Sequence, residues 1–452
     1  MNGKYNDLFD TLVRSYYCGN FDETLNEIIT CHEVSPQETF SIITSLCGVD
    51  IPFDNNFLYN LKKAITNYTV NKRIIDKLQC VGDCDKNEDN KFSCQVACPF
   101  DAIAFDETIH TTVIDSDKCV SCGKCIDVCK GGKILDKVQF MPILNLLKEN
   151  KTVVAAVAPA IIGQFGDEVT MDQIRAAFIN IGFTDMIEVA FTADMLTIKE
   201  AVEFNHLVNS PDDLMITSCC CPMWVGMLKK VYNSLVPNLS PSVSPMIAAG
   251  RVVKKLTPDA KVVFIGPCIA KKAEAKEADV AGAIDFVLTF QEVDEIFRTL
   301  GVKPSELSGI PTKEYASRGG RLYARTGGVS IAISEAIEEL YPEKAKFFNS
   351  YKAEGINECK EVLNKAMSGE LNDITFIEGM GCVGGCVGGP KALVPPAQAK
   401  LSVDAFAYNS AIKVATHSET MDKILSKIGI TSLSDFEDEG KIKIFQRNFN
   451  KQ

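Results

Sequence analysis

Four cysteines at gaps of two, two and three residues, Cys119, Cys122, Cys125 and Cys129, constrain this chain more than any other feature. Short gaps in a tight loop let three sulfurs converge on one small object. The 452 residues include 18 cysteines but only four histidines (His32, His110, His206 and His417), so the ligand chemistry is thiolate chemistry. Soft thiolates select zinc, copper(I) or iron–sulfur clusters. Structural zinc favours two CxxC pairs, and neither cysteine group in residues 80–129 is built that way. Gly123 follows Cys122 where attached haem would need His. No basic stretch followed by an apolar one opens the sequence, so no export signal is expected. A cytoplasmic chain keeps its thiols reduced, and disulfides are not expected.

A second, less regular run precedes the first: Cys80, Cys84, Cys94 and Cys98, with Pro99 after it. Two such runs have the spacing of a bacterial two-cluster ferredoxin, in which the fourth cysteine of each run ligates the other cluster. The expected assignment is therefore crossed. Cys119, Cys122 and Cys125 join Cys98 on one [4Fe–4S] cluster, and Cys80, Cys84 and Cys94 join Cys129 on the other.

Around this module the chain is long enough for two or three domains. Residues 1–75 read as a helical N-terminal region, with apolar residues at helical spacing (Leu8, Leu12, Val13, Tyr16; Leu25, Ile28, Ile29; Phe40, Ile43, Leu46) and a second helix starting at Ser35–Pro36. Cys18, Cys31, Cys47 and, further on, Cys359 are expected to be core thiols. Residues 76–145 form the α+β ferredoxin-like domain. Residues 150–452 alternate short apolar strands (153–157, 186–189, 214–217, 262–265, 286–289, 374–377) with amphipathic helices (171–181, 193–208, 223–231, 291–300, 328–340). That alternation predicts an α/β domain with parallel sheets and flanking helices, with 404–427 packed outside. A net charge of −12 disfavours nucleic acid as a partner, and no apolar run is long enough for a membrane span.

Three further cysteine segments each follow a predicted strand: Thr217-Ser-Cys-Cys-Cys-Pro-Met-Trp224, Gly266-Pro-Cys-Ile-Ala-Lys-Lys-Ala-Glu274, and Glu378-Gly-Met-Gly-Cys-Val-Gly-Gly-Cys-Val-Gly-Gly-Pro390. Ligands of open α/β sheets sit at the carboxyl ends of strands, so the three loops are expected to converge on one buried cofactor. The glycines of the third loop permit close approach of backbone to a bulky group. That loop matches neither dinucleotide nor P-loop spacing. A nucleophilic-cysteine enzyme would want a His base, and no His lies in these motifs.

Together these three segments resemble the signature motifs of [FeFe]-hydrogenases, with the ferredoxin module upstream in the expected order. The resemblance covers roughly residues 76–400. It implies an H-cluster: a [4Fe–4S] cubane joined through one cysteine to a di-iron unit with CO, cyanide and an azadithiolate bridge. The implied cubane ligands are Cys221, Cys268, Cys382 and Cys386, with Cys386 bridging. Cys220 takes the place of the thiol that passes protons, with Cys219 an additional thiol, or the two exchange roles. Lys271 matches the cyanide-binding lysine and Met380 the methionine beside the di-iron unit. Ser240 matches a proton-path serine, and Glu274 closes the second motif. Pro159, Ala160, Pro267, Gly384 and Gly385 are implied to line the pocket.

Against this pattern the chain departs in four places, as a divergent branch would. Its first motif is TSCCCPMW. Ala201 falls where the family's proton-path glutamate is expected, with Glu200 and Glu203 as candidates to replace it. Gly266 stands where many members have Met, and Gly381 where many have Ala. The implied function is reversible reduction of protons to H2 in an anaerobic cell, with electrons exchanged with ferredoxin or a similar carrier and with maturation proteins inserting the di-iron unit. Two alternatives belong to other classes: a hydrogen-sensing relative of low turnover, and an iron–sulfur carrier or assembly protein that keeps only the cubane.

Overall fold

Apolar runs flanked by amphipathic helices form parallel strands because both faces of such a sheet must be covered. The computed structural model describes residues 2–31, 34–69, 74–80, 84, 86–149, 151–312 and 316–449, and shows this in two sheets. In chain order the strands are β1 (Ile75–Lys77), β2 (Ile103–Asp106), β3 (Thr111–Ile114), β4 (Ile134–Asp136), β5 (Val153–Val157), β6 (Asp185–Glu188), β7 (Met215–Ile216), β8 (Lys261–Gly266), β9 (Phe286–Thr289), β10 (Ser350–Glu354) and β11 (Phe376–Met380). One parallel sheet has the order β6-β5-β8-β9, and the other β10-β11-β7. Every residue of β5, β9 and β11 is buried.

Most strands lie within a residue or two of their sequence-based positions. β10 and the helix Pro245–Leu256 were not expected. β10 is polar because it is an edge strand that pairs only with β11 and is mostly part-exposed, so it lacks the buried-strand signature. The segment after residue 396 forms two helices, Pro396–Tyr408 and Glu419–Ile428.

Two antiparallel pairs, β1 with β4 and β2 with β3, carry the ferredoxin-like module. The first region holds four helices, Asn6–Cys18, Phe21–Cys31, Pro36–Leu46 and Phe57–Thr66. Ser35 caps the third of these, not the second, because Gly19 at φ 87° ends the first helix early. Cys47 and Cys359 are buried, but Cys18 and Cys31 are exposed, contrary to expectation, since each closes the outer end of a short helix. His32 lies outside the described residues.

Buried charge joins the parts. Lys272, with no exposed side-chain surface, donates to Asp136 of β4 at 2.8 Å and to Glu292, at the start of the helix Phe290–Leu300, at 2.5 Å. Lys137 pairs with Asp76 of β1 at 3.0 Å and donates to the Val49 carbonyl at 2.9 Å. Lysines of the larger domain add donors to the module: Lys230 to Cys119 O, Lys360 to Pro99 O and the buried Lys391 to Asp127. No helix among the described residues is long and apolar enough to cross a membrane.

Candidate functional site

Two hollows occupy the ferredoxin-like module. Cys80, Cys84, Cys94 and Cys129 line one, with Phe92, Val128 and Lys133. Cys98, Cys119, Cys122 and Cys125 line the other, with Ile75, Phe100 and Ala102. Backbone N–H groups are aimed at the sulfurs: Ala102 N to Cys98 Sγ at 3.3 Å, Ser121 N to Cys119 Sγ at 3.4 Å, and Lys133 N to Cys129 Sγ at 3.2 Å. Such donors favour thiolate over thiol. Burial and then the neighbouring sulfurs push the Cys125 thiol up to about 12.

A third group of sulfurs lies where strands end. β7 runs into Cys219–Cys221, β8 into Cys268, and β11 into Cys382 and Cys386. Burial and the neighbouring Cys221 sulfur push the Cys268 thiol up to about 11, against the opposing positive charge of Lys271. Burial and the same Cys221 and Cys268 sulfurs raise Cys386 to about 12 and push Cys382 well up. Cys382 and Cys386 each feel both Cys221 and Cys268, so the four sulfurs are neighbours. Gly381 N donates to Cys221 Sγ at 3.4 Å. Gly384 and Gly385 sit at φ 82° and 84°. A Cβ on Gly385 would lie 2.6 Å from Thr326 N, so only glycine lets this loop turn there.

Both glycine departures have a packing reason. A Cβ on Gly381 would meet Met223 Cε at 2.6 Å, and one on Gly266 would meet the Phe264 ring at 2.6 Å. Met223 and Phe264 already fill the room that larger side chains would take.

Beside the sulfurs stands Lys271, which donates to Glu274 at 2.6 Å. Burial opposes its charge, but Glu274, Cys220 and Cys268 outweigh that and hold its pKa above the usual lysine value. Met380 is fully enclosed, in the apolar cluster against which Cys220 and Cys386 pack. Ala160 is buried behind Pro159, and Pro267 O accepts from Lys391 N at 3.0 Å.

The two extra thiols face different ways. Cys220 feels burial first, then Cys386, Cys221 and Lys271. Cys219 donates to Ser240 O at 2.8 Å and feels Glu200, Lys199 and Glu203. Behind Cys219 runs a continuous polar chain that sequence reasoning only partly anticipated. Glu200 accepts from Thr217 and lies beside Ser242; Ser242 Oγ is 2.9 Å from Ser240 Oγ; Ser240 Oγ donates to Glu203 at 2.6 Å. Lys199 pairs with Glu203 and reaches Ser242 at 3.0 Å. Glu203 keeps 15% of its side chain exposed, while Ser240 and Ser242 have none. Burial, with Glu203 nearby, lifts Glu200 to about 7. Ala201 points elsewhere, into the cluster of Phe204, Met215 and Phe376. Its neighbours at −1 and +2 are three residues apart and share a helix face, which a residue-by-residue match at Ala201 does not reveal.

The donor set fits iron–sulfur groups. The sulfurs of the module stand around two hollows, four to each. Thiols this crowded resist ionising on their own, whereas a coordinated thiol is deprotonated outright. Ser218 Oγ and Glu274 Oε1 are buried beside the third group without a protein partner.

Comparison with known proteins agrees. The 4Fe-4S dicluster domain family matches residues 78–132, and the family described as iron only hydrogenase large subunit, C-terminal domain, matches residues 151–390. Iron hydrogenase 1 of Clostridium pasteurianum is 28% identical over 80% of this chain and 81% of its own length. The NADP-reducing hydrogenase subunit HndD of Solidesulfovibrio fructosivorans is 25% identical over 75% of this chain and 66% of its own. A probable cytosolic Fe-S cluster assembly factor of Drosophila erecta is 23% identical over 64% of this chain and 74% of its own. Among solved structures, an apo form of the [FeFe]-hydrogenase HydA1 from Chlamydomonas reinhardtii shares the fold, with a TM-score of 0.54 at 20% identity over 66% of this chain and 94% of that one. With more than half of its length matched by the hydrogenase domain, the chain belongs to the iron-only hydrogenase large-subunit family.

Proposed function

We propose that the chain is an [FeFe]-hydrogenase that interconverts protons and H2, fed by two [4Fe–4S] clusters that exchange electrons with ferredoxin or a similar carrier. The observation that carries this is the shared surroundings of Cys220, Lys271 and Cys386: a thiol that feels both the Lys271 ammonium and the Cys386 sulfur, with both sulfurs packed on the apolar cluster that holds Met380. Cys221, Cys268, Cys382 and Cys386 would hold the cubane, with Cys386 bridging to a di-iron unit inserted by maturation proteins. When bound, this H-cluster supplies the metal site at which two protons and two electrons combine, or at which H2 is split.

The residues supply the rest. Glu203, partly exposed, exchanges protons with solvent. Ser240 and Ser242 pass them inward through their hydroxyls. Glu200, near 7, holds a proton at its carboxyl and releases it at neutral pH, as a relay acid must. Cys220 is the thiol that faces the cluster, and Cys219 packs beside the acids. Lys271 keeps a positive charge with donors to spare beyond Glu274, suited to anionic ligands. Met380, Pro159 and Ala160 exclude water. In the electron branch, the cluster of Cys98, Cys119, Cys122 and Cys125 is the nearer one, since the Cys122 loop packs on the residue after Cys268.

A second reading, an iron–sulfur carrier or assembly protein, is favoured by the assembly-factor relatives. Such a protein has no use for a buried chain of acids and hydroxyls that runs up to Cys219, next to Cys220. The test is anaerobic, fully matured protein assayed for H2 evolution from reduced viologen and for exchange between D2 and water. Both activities are expected, and Cys220→Ala should abolish them. Matured protein with neither activity would refute the enzyme and leave the carrier.

A further inference from the structure

The first region of the chain is seated on one loop of the ferredoxin-like module. Asn2 Nδ2 donates to Cys129 O at 3.2 Å and to Ile126 O at 3.5 Å. Lys4 Nζ donates to Gly131 O at 3.2 Å, and Tyr5 Oη to Gly132 O at 3.1 Å. Glu38, in the helix Pro36–Leu46, pairs with Lys133. All these contacts fall within eight residues, 126–133, and that stretch carries Cys129, whose Sγ accepts from Lys133 N at 3.2 Å.

Such a loop is weak without help. Ile126 O belongs to the end of a four-residue helix, Lys124–Asp127, and is otherwise held by the Val128 and Cys129 amides of its own turn. Two glycines follow, Gly131 and Gly132, and Gly132 stands at φ 68°. Glycines lose the most freedom on ordering. A Cβ on Gly132 would lie 2.8 Å from Tyr5 Oη, so the tyrosine is pressed directly onto the turn. Tyr5 is itself buried, and burial with Glu38 and Cys129 nearby raises its phenol to about 12, so it stays a donor across the usable pH range.

We propose that the N-terminal helical region is a cap on the outer iron–sulfur site, with Asn2, Lys4, Tyr5 and Glu38 pinning the loop that presents Cys129. The loop is one wall of the hollow shared with Cys80, Cys84 and Cys94. Pinned, it keeps water and small chelators away from that hollow. The inner hollow, bounded by Cys98, Cys119, Cys122 and Cys125, receives none of these contacts. The cap therefore acts on one cluster alone, as a set of positioning residues.

This rests on the cluster assignment above. The test uses anaerobic full-length holoprotein, with iron release to a ferrous chelator followed against time and the surviving cluster identified by Mössbauer and electron paramagnetic resonance spectra. Tyr5→Phe and the double variant Asn2→Ala/Tyr5→Phe leave the apolar packing intact. Glu38→Gln removes the ion pair by a separate route. In the double variant the outer cluster should lose iron about ten-fold faster, the change expected when roughly two net hydrogen bonds holding a local opening are removed. Glu38→Gln should act in the same direction, and the inner cluster should be unaffected. Unchanged release, or equal acceleration at both clusters, overturns the cap. Wild-type protein that does not show two [4Fe–4S] spectra in this module would instead overturn the cluster assignment.

Discussion

Ile269 and Gly123 are in direct contact: a Cβ built on Gly123 would lie 2.4 Å from Ile269 Cδ1. Each residue immediately follows a candidate cluster ligand, Cys268 and Cys122. Ile269 is fully buried and belongs to the apolar cluster that contains Cys125 and Cys129. Gly123 has φ 81°, so it is glycine for its backbone as well as for its lack of a side chain.

This contact is a packed route between the loops that carry Cys122 and Cys268, and it predicts a split phenotype. Ile269→Ala opens a gap and should cost about 2–5 kcal/mol of stability. It should slow viologen-linked turnover by about ten-fold or more. Exchange between D2 and water needs no electron from the module, and it should persist. Ile269→Val should restore most of the turnover. Equal loss of both activities would assign Ile269 to the cofactor pocket instead.

Glu200 makes the stability depend on pH. Its carboxyl is raised to about 7 by burial, against about 4.3 for glutamate in an unfolded chain. Between those values the folded chain binds the extra proton. The stabilising contribution is thus complete below about pH 4.3 and is lost as pH rises through 7. Glu200→Gln removes this slope, so thermal unfolding should show the variant gaining on the wild type from pH 5 to pH 8. Its turnover should fall by about a hundred-fold or more. A melting difference that does not change with pH would contradict the assignment.

The two extra thiols should separate in function. Cys220 faces the sulfurs and Lys271, whereas Cys219 bonds to Ser240 O. Cys220→Ala should abolish H2 evolution. Cys219→Ala removes one thiol hydrogen bond and should leave turnover within about ten-fold of the wild type, with a stability loss of about 1 kcal/mol. The reverse pattern in a viologen assay would exchange their roles.

Lys272 tests how the parts are joined. Lys272→Met takes the ammonium away from the Asp136 and Glu292 carboxylates, which expose no side-chain surface to solvent. Breaking a buried pair on one side costs about 3–5 kcal/mol. Chemical denaturation should show that loss, and the triple variant with Asp136→Asn and Glu292→Gln should recover much of it. A loss under about 1 kcal/mol would mean that water reaches the site.

Much of this was legible in the cysteine spacing, because a fixed gap in a tight loop is itself a geometric statement. The parallel strands were legible because Val153–Val157 and residues 286–288 are apolar throughout. What was not legible depends on contacts between distant segments. The polar strand β10 is identified only by its pairing with β11. The Glu200–Ser242–Ser240–Glu203 chain joins a helix to a loop some forty residues on, and aligning on Ala201 looks one position away from the side chain that matters. Met223 and Phe264 explain the glycines at 381 and 266 only once their rings and tails are in place. The seat of Asn2 and Tyr5 on the Cys129 loop has no sequence signature.

The central claim is that the cage of Cys221, Cys268, Cys382 and Cys386, beside Cys220, Lys271 and Met380, holds an H-cluster. Infrared spectroscopy of the anaerobically matured holoprotein tests it most directly. Sharp bands of iron-bound CO and cyanide are expected, with the cyanide bands shifting in Lys271→Met. A protein that carries its full complement of [4Fe–4S] iron after maturation, yet shows no CO or cyanide band, would contradict the claim.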